Sequence, residues 1–237
     1  AQDKKRANLF TKLAREITVA AKMGKPDPEF NPRLRLAIAN AKSNSMPKDR
    51  IETAVKKATS PTDGENFEEA RYEGYAPGGV ALIVDALTDN RNRTVADIRS
   101  TLTKNGGSLG ESGSVEFNFE RIGLFRYKKD VAGDEEMLEA AIEAGADDCK
   151  SDDEFHEITC EADSFNEVQQ SLIEKFGDPE LGRLDWRAQT PIEVDLESAE
   201  KIESLIEKLE DLDDVQMVSA NHTYSDEIAE QLAAKMA

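Results

Sequence analysis

The run from Arg71 to Val115, RYEGYAPGGVALIVDALTDNRNRTVADIRSTLTKNGGSLGESGSV, constrains this chain most, because an apolar strand, a polar loop, a helix and a glycine-rich turn follow without a break. Val80 to Leu87 is rich in branched apolar residues and reads as a buried strand, introduced by the Pro77-Gly78-Gly79 turn. Thr94 is expected to cap the helix that follows, with Val95, Ile98 and Leu102 on its apolar side and Lys104 to Gly107 ending it. Ser114 to Phe119 then alternates apolar and polar residues. Leu124 to Tyr127 is its expected hairpin partner across Arg121-Ile122-Gly123, which completes a βαββ unit.

Charge divides the chain on either side of this stretch. Residues 1–60 hold 14 Lys/Arg against 6 Asp/Glu, residues 61–127 hold 7 against 11, and residues 128–237 hold 9 against 32. The net charge of -19 therefore conceals a basic block of +8 on an acidic body, the arrangement of a protein that presents one end to a polyanion. No uncharged apolar run approaches the roughly 20 residues needed to cross a bilayer, and the start is polar and charged. Cys149 and Cys160 are too few to read as a disulfide framework, and a cytoplasmic protein is expected.

The basic block reads as three short helices. The first, from about Lys4 to Met23, carries Leu9, Leu13, Ile17 and Ala20 at helical spacing and stops at Gly24. Asn31-Pro32 looks like an N-cap with proline in the first turn, opening a helix with Leu34, Ile38 and Ala41 inward. Ser45, Met46 and Pro47 repeat the start signal before a third helix with Ile51, Val55 and Ala58 inward. The candidate phosphate-contacting residues are Lys4, Lys5, Arg6, Lys12, Arg15 and Lys22 on the first helix, Arg33, Arg35 and Lys42 on the second, and Lys48, Arg50, Lys56 and Lys57 on the third. The competing reading is a solvated surface, but three basic helices in so acidic a chain favour nucleic acid. Aromatic residues are sparse here apart from Phe10 and Phe30, so base stacking is less well supported.

The polar segment Ser60 to Asn66 reads as a linker and sets the first boundary, giving a basic helical domain over 1–60. A central α/β stretch over 67–128 and an acidic α/β stretch over 129–189 follow. In the acidic part a helix is expected from Asp134 to Gly145, a strand near Glu154 to Cys160, a helix from Ser164 to Phe176 and a strand near Arg183 to Arg187. Beyond Thr190 come an extended piece, a helix from Ser198 to Leu209, a strand from Val215 to Ala220 and a final short helix. This last part either extends the acidic domain or returns to complete the central sheet. The fold class is α+β.

Chemistry is sparse. Asn90, Arg91, Asn92 and Arg93 lie between a strand end and a helix start, where an anion can be held; equally, Asp89 and Asn90 build the turn while the arginines pair with carboxylates. Gly106 to Gly113 lacks the Lys-Ser/Thr of a phosphate-binding loop and enters a strand rather than a helix, so it reads as a turn. His156 and Cys160 share a strand face, but Cys149 and His222 lie elsewhere, and neither a zinc site nor a thiol nucleophile is supported. No catalytic residues, metal or cofactor are expected.

The stretch RYEGYAPGGVALIVDALTDNRNRTVADIRSTLTKNGGSLGESGSVEFNFER resembles the central signature of the YebC/PmpR family. NLFTKLAREITVAAKMGKPDPEFNPRLRLAIANAKSNSMPKDRIETAVKKA resembles that family's amino-terminal helical domain, and LDWRAQTPIEV its later part, so the likeness covers essentially the whole chain. The resemblance implies three domains: the helical one over 1–60, a middle α/β domain completed by the carboxyl-terminal segment over 67–128 plus 190–237, and a ferredoxin-like insertion over 129–189. It also implies a probable transcriptional regulator that binds DNA, related to mitochondrial translational activators; bacterial members have also been tied to the ribosome and to proline-rich stalls. Members usually start with a short basic segment containing Gly-His-Ser-Lys, and this chain begins, without a methionine, just past that point.

Together these readings lead to a monomeric, non-enzymatic, cytoplasmic regulator of gene expression that binds DNA. A ribosome-associated factor binding ribosomal RNA is the first alternative. An enzyme or binding protein for a phosphate-bearing ligand near Arg91 and Arg93 is another, and a scaffold using its acidic body a third.

Overall fold

Amphipathic spacing in the first 60 residues produces three helices: α1 (Gln2–Met23), α2 (Pro32–Ser43) and α3 (Lys48–Thr59). The computed structural model describes residues 1–60 and 66–236. Most of the expected linker lies outside these residues. Asn31 caps α2 by accepting from the Leu34 amide at 3.0 Å, as its sequence position predicts. The start of α3 differs from expectation. Pro47 occupies the cap position without a side-chain bond, and Ser45 instead turns the chain with a positive φ of 60°.

Two compact units result, one gathering 1–8, 66–120 and 186–236 and the other 9–60 and 121–185 among the described residues. The first unit holds β1 (Glu68–Tyr75), β2 (Ala81–Thr88), α4 (Arg91–Lys104) and β3 (Ser108–Leu109). The expected buried strand is β2, with every residue except Asp85 buried. It pairs antiparallel with β1, which the sequence reading missed, because Glu69, Arg71 and Glu73 leave no clean apolar alternation there.

After β4 (Phe119–Lys128) the chain forms α5 (Asp134–Ala144), β5 (Asp148–Ser151), β6 (Phe155–Glu161), α6 (Phe165–Phe176) and β7 (Leu181–Ala188). The sheet order β5-β6-β4-β7 with this βαββαβ succession is the ferredoxin-like arrangement. The expected hairpin within 114–127 does not form. Residues 116–118 are a single 3-10 turn, and β4 runs straight through Arg121-Ile122-Gly123 to pair with β6. Gly123 looked like a turn residue, yet it sits mid-strand because a Cβ there would fall 2.6 Å from Cys160 Sγ and from a Phe165 ring carbon. Residues 121–128, expected in the central domain, therefore supply the first strand of the acidic sheet instead.

The remaining elements are β8 (Ile192–Glu193), α7 (Leu196–Glu210), β9 (Val215–Ala220), β10 (His222–Thr223) and α8 (Asp226–Met236). Strand β9 pairs with β2, so the carboxyl-terminal segment completes the first sheet, in the order β3-β1-β2-β9. One face is closed by Ile98 and Leu102 of α4 with Ile202, Leu205 and Leu209 of α7; on the other, Ile83, Val115 and Phe119 pack together with Trp186.

In the second unit α2 serves two cores at once. Leu34, Ala37 and Ala41 close the core with Phe10, Ile17 and Ile51, while Leu36 enters the core of the ferredoxin-like sheet beside Phe125 and Tyr127. Polar contacts reinforce this: Gln169 donates to the Pro32 carbonyl at 3.0 Å and Ser43 to the Glu180 carbonyl at 3.0 Å.

Candidate nucleic-acid interface

Cations near the carboxyl end of a helix are favoured by the exposed carbonyls there, and Lys22, Lys42, Lys56 and Lys57 all occupy last turns. That placement alone explains a few tenths of a kcal/mol each and calls for no ligand. What distinguishes the candidates is how far they are already neutralised. Arg33 is held by a two-pronged pair with Glu16, at 2.8 and 3.2 Å, and Arg35 reaches Asp178 at 2.7 Å. Arg50 lies over the Phe10 ring at 5.4 Å and Lys48 lies 3.8 Å from Glu52. Lys12, Arg15 and Lys22 also have partners within the protein.

Lys42, Lys56 and Lys57 are exposed and make no ion pair with another described residue. On α2 and α3 these three lysines carry charge that no described residue offsets. Lys4, Lys5 and Arg6 belong to the other unit, where Lys5 pairs with Glu207 and its ammonium is held above its usual range by that hydrogen bond.

The Asn90 to Arg93 group is arranged differently from a loop. Asn90, rather than Thr94, caps α4 by accepting from the Arg93 amide at 3.1 Å, and Arg91 to Arg93 form the first helical turn. Arg91 bonds Glu68 at 2.5 Å and the Glu69 carbonyl at 3.0 Å; Arg93 bonds Asp89 at 2.7 Å and the buried Asp214 at 3.0 Å. Both guanidinium pKa values are raised by these bonds. The arginines thus spend their charge on carboxylates of their own unit. Thr94 is buried and its hydroxyl contacts Asp214 Oδ2 and the Thr88 hydroxyl, each at 2.6 Å. Thr94→Val should lower stability by about 1–2 kcal/mol in urea unfolding, because the buried Asp214 carboxylate loses one of its donors.

The glycine-rich turn holds an anion of its own. Glu73 on β1 is 3% exposed, and its carboxylate accepts from the amides of Gly113, Val115 (3.1 Å) and Glu116 (2.8 Å). Sequence reasoning missed this site. An acidic residue within a strand, forty residues before Gly113, gives no local signal of the contact.

The histidines are likewise absorbed. His156 is fully buried; its Nδ1 meets the Ser151 hydroxyl at 2.6 Å and its Nε2 lies 2.9 Å from the Ala132 carbonyl. Ser151 and His156 face each other in the β5–β6 register, so the contact closes a hairpin. His222 bonds Glu203 at 2.7 Å and draws that carboxylate's pKa down. Burial pushes the Cys160 thiol up to about 11, with Asp147 adding to it. Native Cys160 should therefore resist iodoacetamide at pH 8 and react once urea exposes it; equal rates in both states would contradict the burial.

The sequence pattern of the TACO1/YebC protein N-terminal domain matches residues 1–61, and that of the TACO1/YebC second and third domain matches residues 67–222. This chain belongs to the TACO1/YebC family. A conserved hypothetical protein from Aquifex aeolicus, solved by crystallography, is 46% identical, with a TM-score of 0.84 over 94% of this chain and 92% of that one. The family is described as one of regulators, of transcription or of translation, rather than of enzymes. No described helix is long and apolar enough to cross a membrane.

Proposed function

We propose that this protein is a cytoplasmic regulator of gene expression that binds DNA through its amino-terminal helices. The observation that carries the reading is that Lys42, Lys56 and Lys57 are exposed and make no ion pair with another described residue, on helices whose Arg33 and Arg35 are already paired with carboxylates. Phosphate contacts of this kind supply affinity without sequence information, which suits Lys more than bidentate base readout. The acidic remainder repels a polyanion, so the bound site is bounded rather than wrapped.

Crosslinking in cells followed by sequencing of both bound DNA and bound RNA tests the proposal. Enrichment of DNA over RNA is the expected outcome. Enrichment of ribosomal RNA instead would replace it with the translational reading, and recovery of neither would overturn nucleic-acid binding altogether.

A further inference from the structure

Helix α5 buries a narrow stripe, Met137, Ala140 and Ala141, against the ferredoxin-like sheet. That small-residue stripe is enough to seat the helix. Leu138 and Ile142, four residues apart, lie outside it at 43% and 65% exposure, and Val131 in the turn just before the helix is 42% exposed. Isolated exposed apolar residues are ordinary, but two branched side chains one turn apart on a single helix form a continuous ridge.

The rim of the ridge is acidic. Glu135 and Glu139 stand three residues before Leu138 and Ile142, hence beside them on the helix surface. Helix α5 carries five acidic residues and no Lys or Arg; nearby Lys129 is taken by Asp134. A phosphate backbone or an anionic membrane would be repelled here. An apolar strip flanked by carboxylates suits a helix that places Leu-type residues on one side and Lys or Arg beside them.

We propose that the Leu138–Ile142 ridge of α5 docks a basic amphipathic helix of a partner protein. Apolar contact supplies affinity while Glu135 and Glu139 select the cationic partner and set its orientation. The site is independent of the nucleic-acid reading, since it lies on an element of opposite charge.

The test uses the full chain and a fluorescent synthetic 18-residue amphipathic peptide with leucines on one face and lysines on the other, read by anisotropy. Leu138→Ser with Ile142→Ser should weaken binding about tenfold or more, as expected for losing two apolar anchors. Glu135→Gln with Glu139→Gln should weaken it and flatten its salt dependence. Glu227→Gln with Glu230→Gln, on exposed positions of α8, should leave it unchanged. All three exposed pairs should retain the wild-type melting temperature. Undiminished binding by the Leu138/Ile142 variant, or equal loss from the α8 variant, would overturn the proposal. Sedimentation showing that the same ridge substitutions abolish self-association would overturn it in favour of a second copy of this chain.

Discussion

Glu73→Gln is expected to destabilise the protein by about 3 kcal/mol or more, the largest effect anticipated for a single isosteric change here. The carboxylate is almost fully buried and collects three backbone amides from the turn that follows the glycine run. Bonds to a charged acceptor contribute about 1.5–3 kcal/mol each, whereas glutamine keeps one oxygen and turns an NH2 toward amides that need an acceptor. Strand β1 would also lose the tie that brings residues 113–116 onto the sheet. Urea unfolding of both proteins provides the measurement; a loss below about 1 kcal/mol would show that water substitutes for the carboxylate.

Reversing Lys42, Lys56 and Lys57 to glutamate is expected to reduce nucleic-acid affinity about a hundredfold near 0.1 M salt and to lower the salt slope by about two to three. Each lysine neutralises one phosphate and releases its counterion, so slope and affinity fall together. Arg33 and Arg35 are omitted because their reversal would set glutamates against Glu16 and Asp178 and confuse unfolding with lost binding. Reversal of Arg99 and Lys104, exposed on the first unit, is the matched control. A slope unchanged by the triple variant, or reduced as much by the control, would move the interface away from α2 and α3. Stability should drop only slightly, by the lost favourable placement near two helix ends.

Much of the architecture was legible from residue order. Apolar spacing located α1, α2, α3 and α7, and the branched run VALIVDAL marked the central strand correctly. The failures share a cause. Strand β1 hides a charged residue, β4 passes through a glycine, and Thr94 looks like a cap; each is explained by a backbone or side-chain group distant in sequence.

The same division applies to the candidate site. Composition alone showed that cations are concentrated in the first 60 residues, because charge counts need no coordinates. Which of them remain available depends on partners far away in sequence, 143 residues for Arg35 and Asp178 and 202 for Lys5 and Glu207. Likewise, the sequence led to a helix from Asp134 to Gly145, which forms over Asp134–Ala144 with Gly145 as its cap, but the exposure of Leu138 and Ile142 is settled by which face the sheet accepts. Local patterning is written in neighbouring residues and can be read from them. The pairing of a buried carboxylate with remote amides, and of a guanidinium with a remote carboxylate, exists only after the chain has closed on itself.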